Sequence, residues 1–360
     1  GKWHTPAHPM WQEAVQFYAF ADVADATVLH PPYTDEAHHV IKNPGSFMDT
    51  VDIPVIIGGV YPHHDWGNDP GSALTEMGIE WLREASKRDE PFLLRVSYAW
   101  PHTPVLPPSP WDRLYEPDEV KCNALQQQAH DERSSYDRWL ANVEGGMRMT
   151  ADQWKRAAAD YYGLCSYIDH EVGRLMRALR DLGLADDTIV AFNTDHGRAM
   201  GEYGHLQKGT FDTEVWRVPF IISAPSDVPK GEHRHDLCEL LDFVPTVCSL
   251  AGIDLAPGMR GRDLFDATQP EPDAVFGLVD MFAHRRVGVR TKRYRYDCSY
   301  LYDESYTMQT DKTAGDDRRA NLIDLENDPL ELHNLINDPS AAAIADELYA
   351  RLDTWMEKAE

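Results

Sequence analysis

The stretch TIVAFNTDHGRAMGEYGHLQKG, residues 188–209, decides the fold because a continuous apolar run turns abruptly into polar residues. The run TIVAFN has no polar residue at its centre, which predicts a strand that is covered on both faces. Such strands are typical of a central parallel or mixed sheet between layers of helices. Asp195, His196 and Gly197 follow the run at the carboxyl end of this strand, where open α/β sheets collect ligands. We therefore expect the triplet to belong to a binding or catalytic site.

The segments on either side of this stretch fit the same α/β pattern. Apolar spacing and cap residues predict, in chain order, a helix that begins at Asp69 and Pro70, a strand over 91–100, a helix of about thirty residues from Thr150 to Gly183, a strand over 217–225 and a helix over 242–251. His102 lies just past the end of the 91–100 strand, in a proline-rich loop. The sequence thus predicts a mixed, mainly parallel sheet sandwiched by helices.

The character of the chain changes after about residue 256. Residues 256–360 favour antiparallel strands, turns and a final helix over 341–358, which indicates a smaller C-terminal α+β subdomain. We therefore divide the chain into a larger α/β domain, residues 1–255, and this subdomain. The basic and aromatic run MFAHRRVGVRTKRYRY, residues 281–296, is compatible with contact to a sugar or aryl group and equally with a strand that has one solvated face.

Composition and charge exclude several classes of function. Acidic residues outnumber basic ones 60 to 34, and the net charge of -26 argues against nucleic acid as a partner. No apolar window has the roughly 18 to 20 residues that a membrane-spanning helix needs. The five cysteines include no CxxC pair, so the sequence predicts neither a disulfide framework nor a zinc knuckle.

The pair Asp195–His196 has the chemistry of a metal site. A carboxylate supplies charge and a neutral imidazole supplies a nitrogen donor, so both side chains can reach one divalent cation. We expect Gly197 to let the backbone turn away after the pair. The alternative is that Asp195 caps a turn and that His196 is a polar loop residue without a ligand.

Four other stretches carry residues of the same chemical kind. They are GKWH at 1–4, PHTP at 101–104, GHLQKGTFDTEVWRVP at 204–219 and DPLELHNL at 328–335. Together with NTDHG at 193–197, they resemble the sulfatase family of the alkaline-phosphatase-like superfamily, with the motifs in the order of that family. The resemblance spans nearly the whole chain and is far more specific than any one motif. It implies an alkaline-phosphatase-like α/β fold and a hydrolase that acts on sulfuric esters.

The resemblance also implies roles for individual residues. Asp195 and His196 match the late metal-binding pair of the family, whose usual metal is Ca²⁺. Lys2, His102 and Lys208 match residues that bind the sulfate group and take part in catalysis, and His4 matches a further catalytic residue. These roles suit the reaction, because attack on a sulfate ester builds negative charge and the departing alkoxide needs a proton. The implied substrate is a small-molecule or carbohydrate sulfate ester.

One element of the family pattern has no match in the 360 residues. Sulfatases carry a Cys or Ser in a C-x-P/A-x-R motif, which is converted to the nucleophile formylglycine, and an aspartate pair on the first strand. Both elements precede GKWH in the family. No cysteine or serine of this chain is followed by the residues of the C-x-P/A-x-R motif. We therefore expect the chain to be an N-terminally truncated fragment that is inactive by itself.

Two other functions remain compatible with the sequence. One is a phosphonate monoester or phosphodiester hydrolase of the same superfamily, for which Mn²⁺ would be the expected metal. The other is a non-catalytic module that keeps an anion-binding pocket and has no nucleophile.

Overall fold

The fold was obtained as a computed structural model, and it describes residues 41–42, 56–59, 69–120, 129–225, 228–281, 284–301 and 320–359. Its helices are α1 Pro70–Ala85, α2 Ser135–Glu144, α3 Ala151–Asp181, α4 Thr213–Trp216, α5 Phe243–Leu250 and α6 Ala342–Ala359. Its strands are β1 Ile41–Lys42, β2 Ile56–Gly58, β3 Val190–Asn193, β4 Phe220–Ser223, β5 Val275–Met281, β6 His284–Arg290, β7 Tyr294–Leu301 and β8 Ala320–Asp324. The chain forms two compact units, which are described separately below.

The first unit comprises residues 1–122 and 149–186, and the predicted helices α1 and α3 are both present in it. Asp69 caps α1 by accepting hydrogen bonds from the backbone N–H groups of Gly71 and Ser72, both at 3.0 Å. The hydroxyl of Tyr167, on α3, donates to the same carboxylate. The cap therefore fixes the start of α1 and also ties it to α3.

The start of α3 is set by a capping box, as the sequence predicts. The Thr150 hydroxyl accepts from the Gln153 N–H at 3.2 Å, and the Gln153 side chain accepts from the Thr150 N–H at 2.9 Å. At the other end, Gly183 has a φ of 71°, a left-handed conformation that glycine adopts without steric cost. Local chemistry thus determines both ends of this 31-residue helix.

The predicted strand over 91–100 is not found. Residues 91–99 make no strand pairing with the described residues, and the Leu93 side chain is 85% exposed. Apolar and β-branched residues suit an extended backbone, but a strand also requires a neighbouring strand with free N–H and C=O groups. The described residues of this unit provide no such neighbour to residues 91–99.

The second unit comprises residues 123–148 and 187–360, and the strand predicted within 188–193 is present as β3. β3 pairs with β4 in antiparallel register, from Val190 opposite Ser223 to Asn193 opposite Phe220. The expected burial on both faces is not observed, because Phe192 is 36% exposed and Asn193 is exposed as well. The described residues cover β3 only partly, and its pairing with β4 is antiparallel rather than parallel.

The C-terminal part of the second unit is the antiparallel sheet that the sequence predicts. Its strand order is β5-β6-β7-β8, and α6 packs against it. Val287 and Val289 of β6 and Leu322 of β8 form a fully buried core with Leu348 and Leu352 of α6. The division into domains 1–255 and 256–360 stays a prediction.

In the described part of the chain, no helix is long and apolar enough to cross a membrane.

Candidate functional site

The pair Asp195–His196 lies directly after β3, as predicted from the sequence. The Asp195 carboxylate accepts hydrogen bonds from the His196 backbone N–H at 3.0 Å and from the Thr194 hydroxyl at 3.3 Å. Its second oxygen lies 3.5 Å from Nε2 of the His196 ring. The Asp195 side chain is 62% exposed and the His196 side chain 32%, so an ion from solvent can reach both.

The orientation of the His196 ring is set by its other nitrogen. Nδ1 lies 2.8 Å from the Gly197 carbonyl oxygen, which can only accept a hydrogen bond. Nδ1 therefore carries the proton of the neutral ring, and Nε2 presents its lone pair on the side of the Asp195 carboxylate. A carboxylate oxygen and an imidazole lone pair thus converge, which is the donor set expected at a divalent-metal site.

Gly197 is required for a reason that differs from the predicted one. Its φ is not in the left-handed region, so the residue does not serve to turn the chain. Instead, a Cβ atom at this position would lie 2.0 Å from the Glu214 carbonyl oxygen. The close approach allows Gly197 N–H to bond to the Val215 carbonyl at 2.7 Å and Arg198 N–H to the Glu214 carbonyl at 3.0 Å. These bonds attach the segment that follows Asp195 and His196 to α4.

Lys208 lies in a loop that folds back toward the same segment. The N–H of Ala199 donates to the Gln207 carbonyl at 2.7 Å, which holds the residue before Lys208 beside the chain that follows His196. Gly209, immediately after Lys208, has a φ of 103°. The structure therefore brings the Lys208 segment and the Asp195–His196 segment together in the second unit.

The Lys208 loop, residues 201–209, is anchored through Tyr203. Tyr203 is fully buried and has a φ of 54°, which is unusual for a residue other than glycine. Its hydroxyl donates to the Leu330 carbonyl at 2.8 Å, and the Arg133 guanidinium stacks on its ring at 3.6 Å from the centroid. Such a backbone conformation persists only where the surroundings hold it, so this loop is a fixed part of the second unit.

A buried ionic network underlies the loop, and sequence reasoning did not find it. Its members come from α2, the loops, the C-terminal sheet and the tail segment 328–335, and each is at most 3% exposed: Arg133, Asp137, Asp212, Arg286, Arg295, Asp297, Asn321 and Glu331. Burial, the largest single effect, would raise the pKa of Asp137, but the charges of Arg286, His205 and Arg133 together outweigh burial and hold that pKa well below its usual range. The carboxylates of the network are thus balanced by buried arginines.

This network corrects the interpretation of the run 281–296. Arg286 and Val287 are neighbours on β6, and their exposures are 1% and 0%, so both faces of the strand are buried there. The strand has no solvated face at this point, and Arg286 faces no sugar, because its partners are Asp137 and Asp297. The signal in the sequence was the pair of like charges at 285–286, but only a tertiary structure supplies the acidic partners.

His102 belongs to the first unit and is held by local bonds. Its backbone N–H donates to the Ala99 carbonyl at 3.1 Å, and Nδ1 lies 2.7 Å from the Thr103 carbonyl oxygen. As with His196, the carbonyl acceptor places the ring proton on Nδ1 and leaves Nε2 to take up or release a proton. The side chain is half-buried. Lys2 and His4, the other two predicted catalytic residues, lie outside the described residues.

The residues present fit a divalent cation, although they do not complete its shell. Asp195 and His196 supply two donors, and within the described ranges no cluster of three or more His, Cys, Asp or Glu residues could hold a metal. Divalent cations such as Ca²⁺ and Mn²⁺ take six or more ligands, many of them oxygen atoms. Other groups of the protein, water or substrate must therefore supply the remaining ligands.

Comparisons with known proteins identify the family to which the chain is similar. Residues 5–253 match the Sulfatase family, and residues 201–358 match the family described as N-sulphoglucosamine sulphohydrolase, C-terminal. The chain is 30% identical over 308 residues to an arylsulfatase of Clostridium perfringens, covering 81% of this chain and 60% of the relative. It is 27% identical over 349 residues to iduronate 2-sulfatase of Mus musculus, covering 76% and 62%.

A solved structure supports the fold. The phosphonate monoester hydrolase of Agrobacterium radiobacter superposes with a TM-score of 0.67 at 24% identity, over 80% of this chain and 60% of that protein. This likeness confirms the predicted alkaline-phosphatase-like α/β fold. The chain spans about 60% of the length of the two curated relatives, at 60% and 62%.

Proposed function

The chain belongs to the sulfatase family, and from that premise we propose that it forms part of a sulfuric-ester hydrolase that cleaves a sulfate monoester. The observation that carries the proposal is the convergence of the Asp195 carboxylate and His196 Nε2 at 3.5 Å, with the ring fixed by the Gly197 carbonyl. The backbone bond between Ala199 and Gln207 keeps the Lys208 segment beside this pair. A metal-binding pair next to a lysine is suited to a tetrahedral anion.

The residues of this chain would have distinct roles in the reaction. The ammonium groups of Lys2 and Lys208 would bind the negatively charged sulfate and stabilise the charge that grows on its oxygens. In its imidazolium form, His102 would donate the proton of Nε2 to the departing alkoxide and become the neutral ring, since Nδ1–H stays bonded to the Thr103 carbonyl. His4 would assist proton transfer at the nucleophile. A divalent cation held by Asp195 and His196 would supply a Lewis acid at the sulfonyl oxygens.

The nucleophile of the proposed reaction is formylglycine, and none of the 360 residues provides its motif. The sequences that follow the five cysteines are NALQ, SYID, ELLD, SLAG and SYLY, for Cys122, Cys165, Cys238, Cys248 and Cys298. None fits C-x-P/A-x-R. Because the chain spans only 60% and 62% of the two curated relatives, we propose that the motif and the early aspartate pair are supplied from outside these 360 residues.

A phosphonate monoester or phosphodiester hydrolase is the second candidate, and the His196 ring is the observation that favours it. Imidazole suits transition metals better than Ca²⁺, whose preferred ligands are oxygen atoms. We propose Ca²⁺ as the metal of the sulfatase and Mn²⁺ as the metal of the phosphodiesterase. The proposed substrate of the sulfatase is a small-molecule or carbohydrate sulfate ester, in keeping with the names of the two curated relatives.

Two experiments test the proposal, and metal binding to the purified chain is the first. Calorimetric titration with Ca²⁺ and with Mn²⁺ should show binding that D195N abolishes and that H196Q weakens at least tenfold. D338N is the matched control. Asp338 is an exposed aspartate, and in the described part of the chain its side chain accepts hydrogen bonds from Ser340. Unchanged affinity in D195N would refute the metal site.

The second experiment is an activity assay with a chromogenic aryl sulfate and a phosphodiester. The 360-residue chain alone should show negligible turnover with either substrate, and robust turnover would show that the nucleophile is not missing. Reading the coding sequence upstream of residue 1 then separates the classes. A C-x-P/A-x-R motif supports the hydrolase, whereas an open reading frame without it supports a non-catalytic anion-binding module.

A further inference from the structure

Glu331 lies in the tail segment 328–335, and its buried side chain bonds to Thr213, the first residue of α4. Its side chain is almost fully buried, and its φ of 54° makes it, with Tyr203, one of two non-glycine residues with positive φ in the described ranges. The carboxylate accepts from the Arg295 guanidinium at 2.6 Å. Its other oxygen accepts from the backbone N–H of Thr213 at 3.0 Å and from the Thr213 hydroxyl.

The bonds to Thr213 fix the first residue of α4. The Thr213 hydroxyl also accepts from the Arg290 guanidinium at 3.0 Å, and the preceding residue, Asp212, bonds to Arg133 and Arg295. The beginning of this four-residue helix is therefore held by the C-terminal sheet and by the tail segment. A helix of one turn has few hydrogen bonds of its own, so its position depends on these outside contacts.

The same short helix holds the segment that follows the metal-binding pair. The carbonyls of Glu214 and Val215 accept from the N–H groups of Arg198 and Gly197, at 3.0 and 2.7 Å. A continuous path of hydrogen bonds thus runs from Glu331 to Thr213, through one helical turn, and on to Gly197. The Gly197 carbonyl is the acceptor that fixes the His196 ring.

We propose that Glu331 is a positioning residue that holds the Asp195–His196 pair in place through Thr213 and α4. The expected effect of Glu331 on metal affinity rests on the proposed function, in which Asp195 and His196 bind a metal. The path itself stands on geometry within the second unit. Glu331 touches neither metal nor substrate in this account, and its effect is transmitted through the backbone.

Amide hydrogen exchange measured by NMR on the full 360-residue chain tests the proposal. E331A should accelerate exchange at the Gly197 and Arg198 amides at least tenfold, while the Val289 amide in β6 keeps its wild-type rate. The ring nitrogens of His196 should also shift, because the bond from Nδ1 to the Gly197 carbonyl loosens. E326Q is the matched control, since Glu326 is an exposed acid close by in sequence that pairs with Arg293.

The outcomes separate a positioning role from a general structural one. If E331A folds and leaves the Gly197 and Arg198 amides unchanged, or accelerates the Val289 amide equally, the proposal is wrong. If E331A does not fold, T213V replaces it, because it removes the hydroxyl bond to Glu331 and keeps the backbone N–H. T213V should accelerate the two amides about threefold and T213S should restore them; a T213V variant with wild-type rates would overturn the proposal.

The Mn²⁺ affinity of the same variants shows whether the positioning serves metal binding. E331A should weaken Mn²⁺ binding at least fivefold relative to E326Q. If the wild-type chain binds no Mn²⁺, the proposed metal site fails, whereas the exchange rates still decide whether Glu331 positions the pair. The two failures are therefore distinguishable.

Discussion

The Glu144 carboxylate lies 3.6 Å from Nδ1 of His205, and both side chains are buried, with exposures of 7% and 2%. The same carboxylate accepts a hydrogen bond from the Leu206 backbone N–H at 2.8 Å. Glu144, at the end of α2, therefore holds two consecutive residues of the Lys208 loop, His205 and Leu206. Burial alone would lower the pKa of His205, but the carboxylates of Glu144, Asp137 and Asp212 outweigh it and raise the pKa above 6.5. Below this raised pKa, the buried His205 ring carries a positive charge that offsets its acidic neighbours.

We predict that His205 makes the stability of the chain depend on pH. Because the pKa is raised in the folded state, the stabilisation is fully present below the unfolded value of 6.5 and is lost as pH rises through the folded pKa. H205Q should lower the free energy of unfolding by about 3 kcal/mol near pH 6, and the difference from wild type should shrink at higher pH. Urea denaturation at several pH values measures this difference.

H333Q is the matched control for that prediction. His333 is 67% exposed and lies 3.3 Å from Glu132, so its substitution should change the unfolding free energy by less than about 1 kcal/mol at every pH. A difference between H205Q and wild type that stays constant from pH 6 to pH 9 would show that His205 is not charged in the folded chain.

The close contact at Gly197 gives a second prediction. In G197A, a Cβ atom 2.0 Å from the Glu214 carbonyl would push the two segments apart and break the bonds to α4. We expect a loss of about 2 kcal/mol or more in unfolding free energy, together with loss of Mn²⁺ binding. Chemical denaturation and calorimetry measure the two effects.

G173A provides the comparison for G197A. Gly173 lies within α3, and a Cβ there would meet only the flexible end of Arg177, at 3.6 Å. This substitution should stabilise the chain by roughly 0.5–1 kcal/mol, because alanine favours the helix over glycine. If G197A were as stable as wild type and kept its metal affinity, the close contact would not be essential.

The buried arginines give a third prediction, which contrasts neighbours on β6. R286Q removes a guanidinium that pairs with Asp137 and Asp297 at 1% exposure and should cost roughly 3–5 kcal/mol of unfolding free energy. R285Q removes a partly exposed partner of Asp280 and should cost at most about 1 kcal/mol. Equal losses in the two variants, measured by urea denaturation, would contradict a network role for Arg286.

The parts of the fold that local chemistry determines were predictable from sequence. Asp69 and Thr150 begin helices because their side chains cap backbone N–H groups within three residues. The place of Asp195 and His196 after a strand followed from the apolar run before them. The prediction of a strand over 91–100 was wrong, because a strand forms only when a neighbouring strand pairs with it, and the segment does not encode that neighbour.

The buried network shows what the sequence could not reveal. Glu331 and Thr213 are separated by more than a hundred residues, and neither has a local signal that would mark it as buried. Likewise, Gly197 looks like a turn glycine until the position of the Glu214 carbonyl is known. Long-range proximity creates both requirements, so only the tertiary structure shows them.

We propose that His196 and Lys208, both in the second unit, serve one tetrahedral anion, and an NMR titration of the chain with sulfate in the presence of Ca²⁺ tests this proposal most directly. We predict that the ring nitrogens of His196 and Nζ of Lys208 shift together along curves with one common dissociation constant. Shifts that follow different dissociation constants, or a Lys208 signal that does not respond to sulfate, would contradict the account.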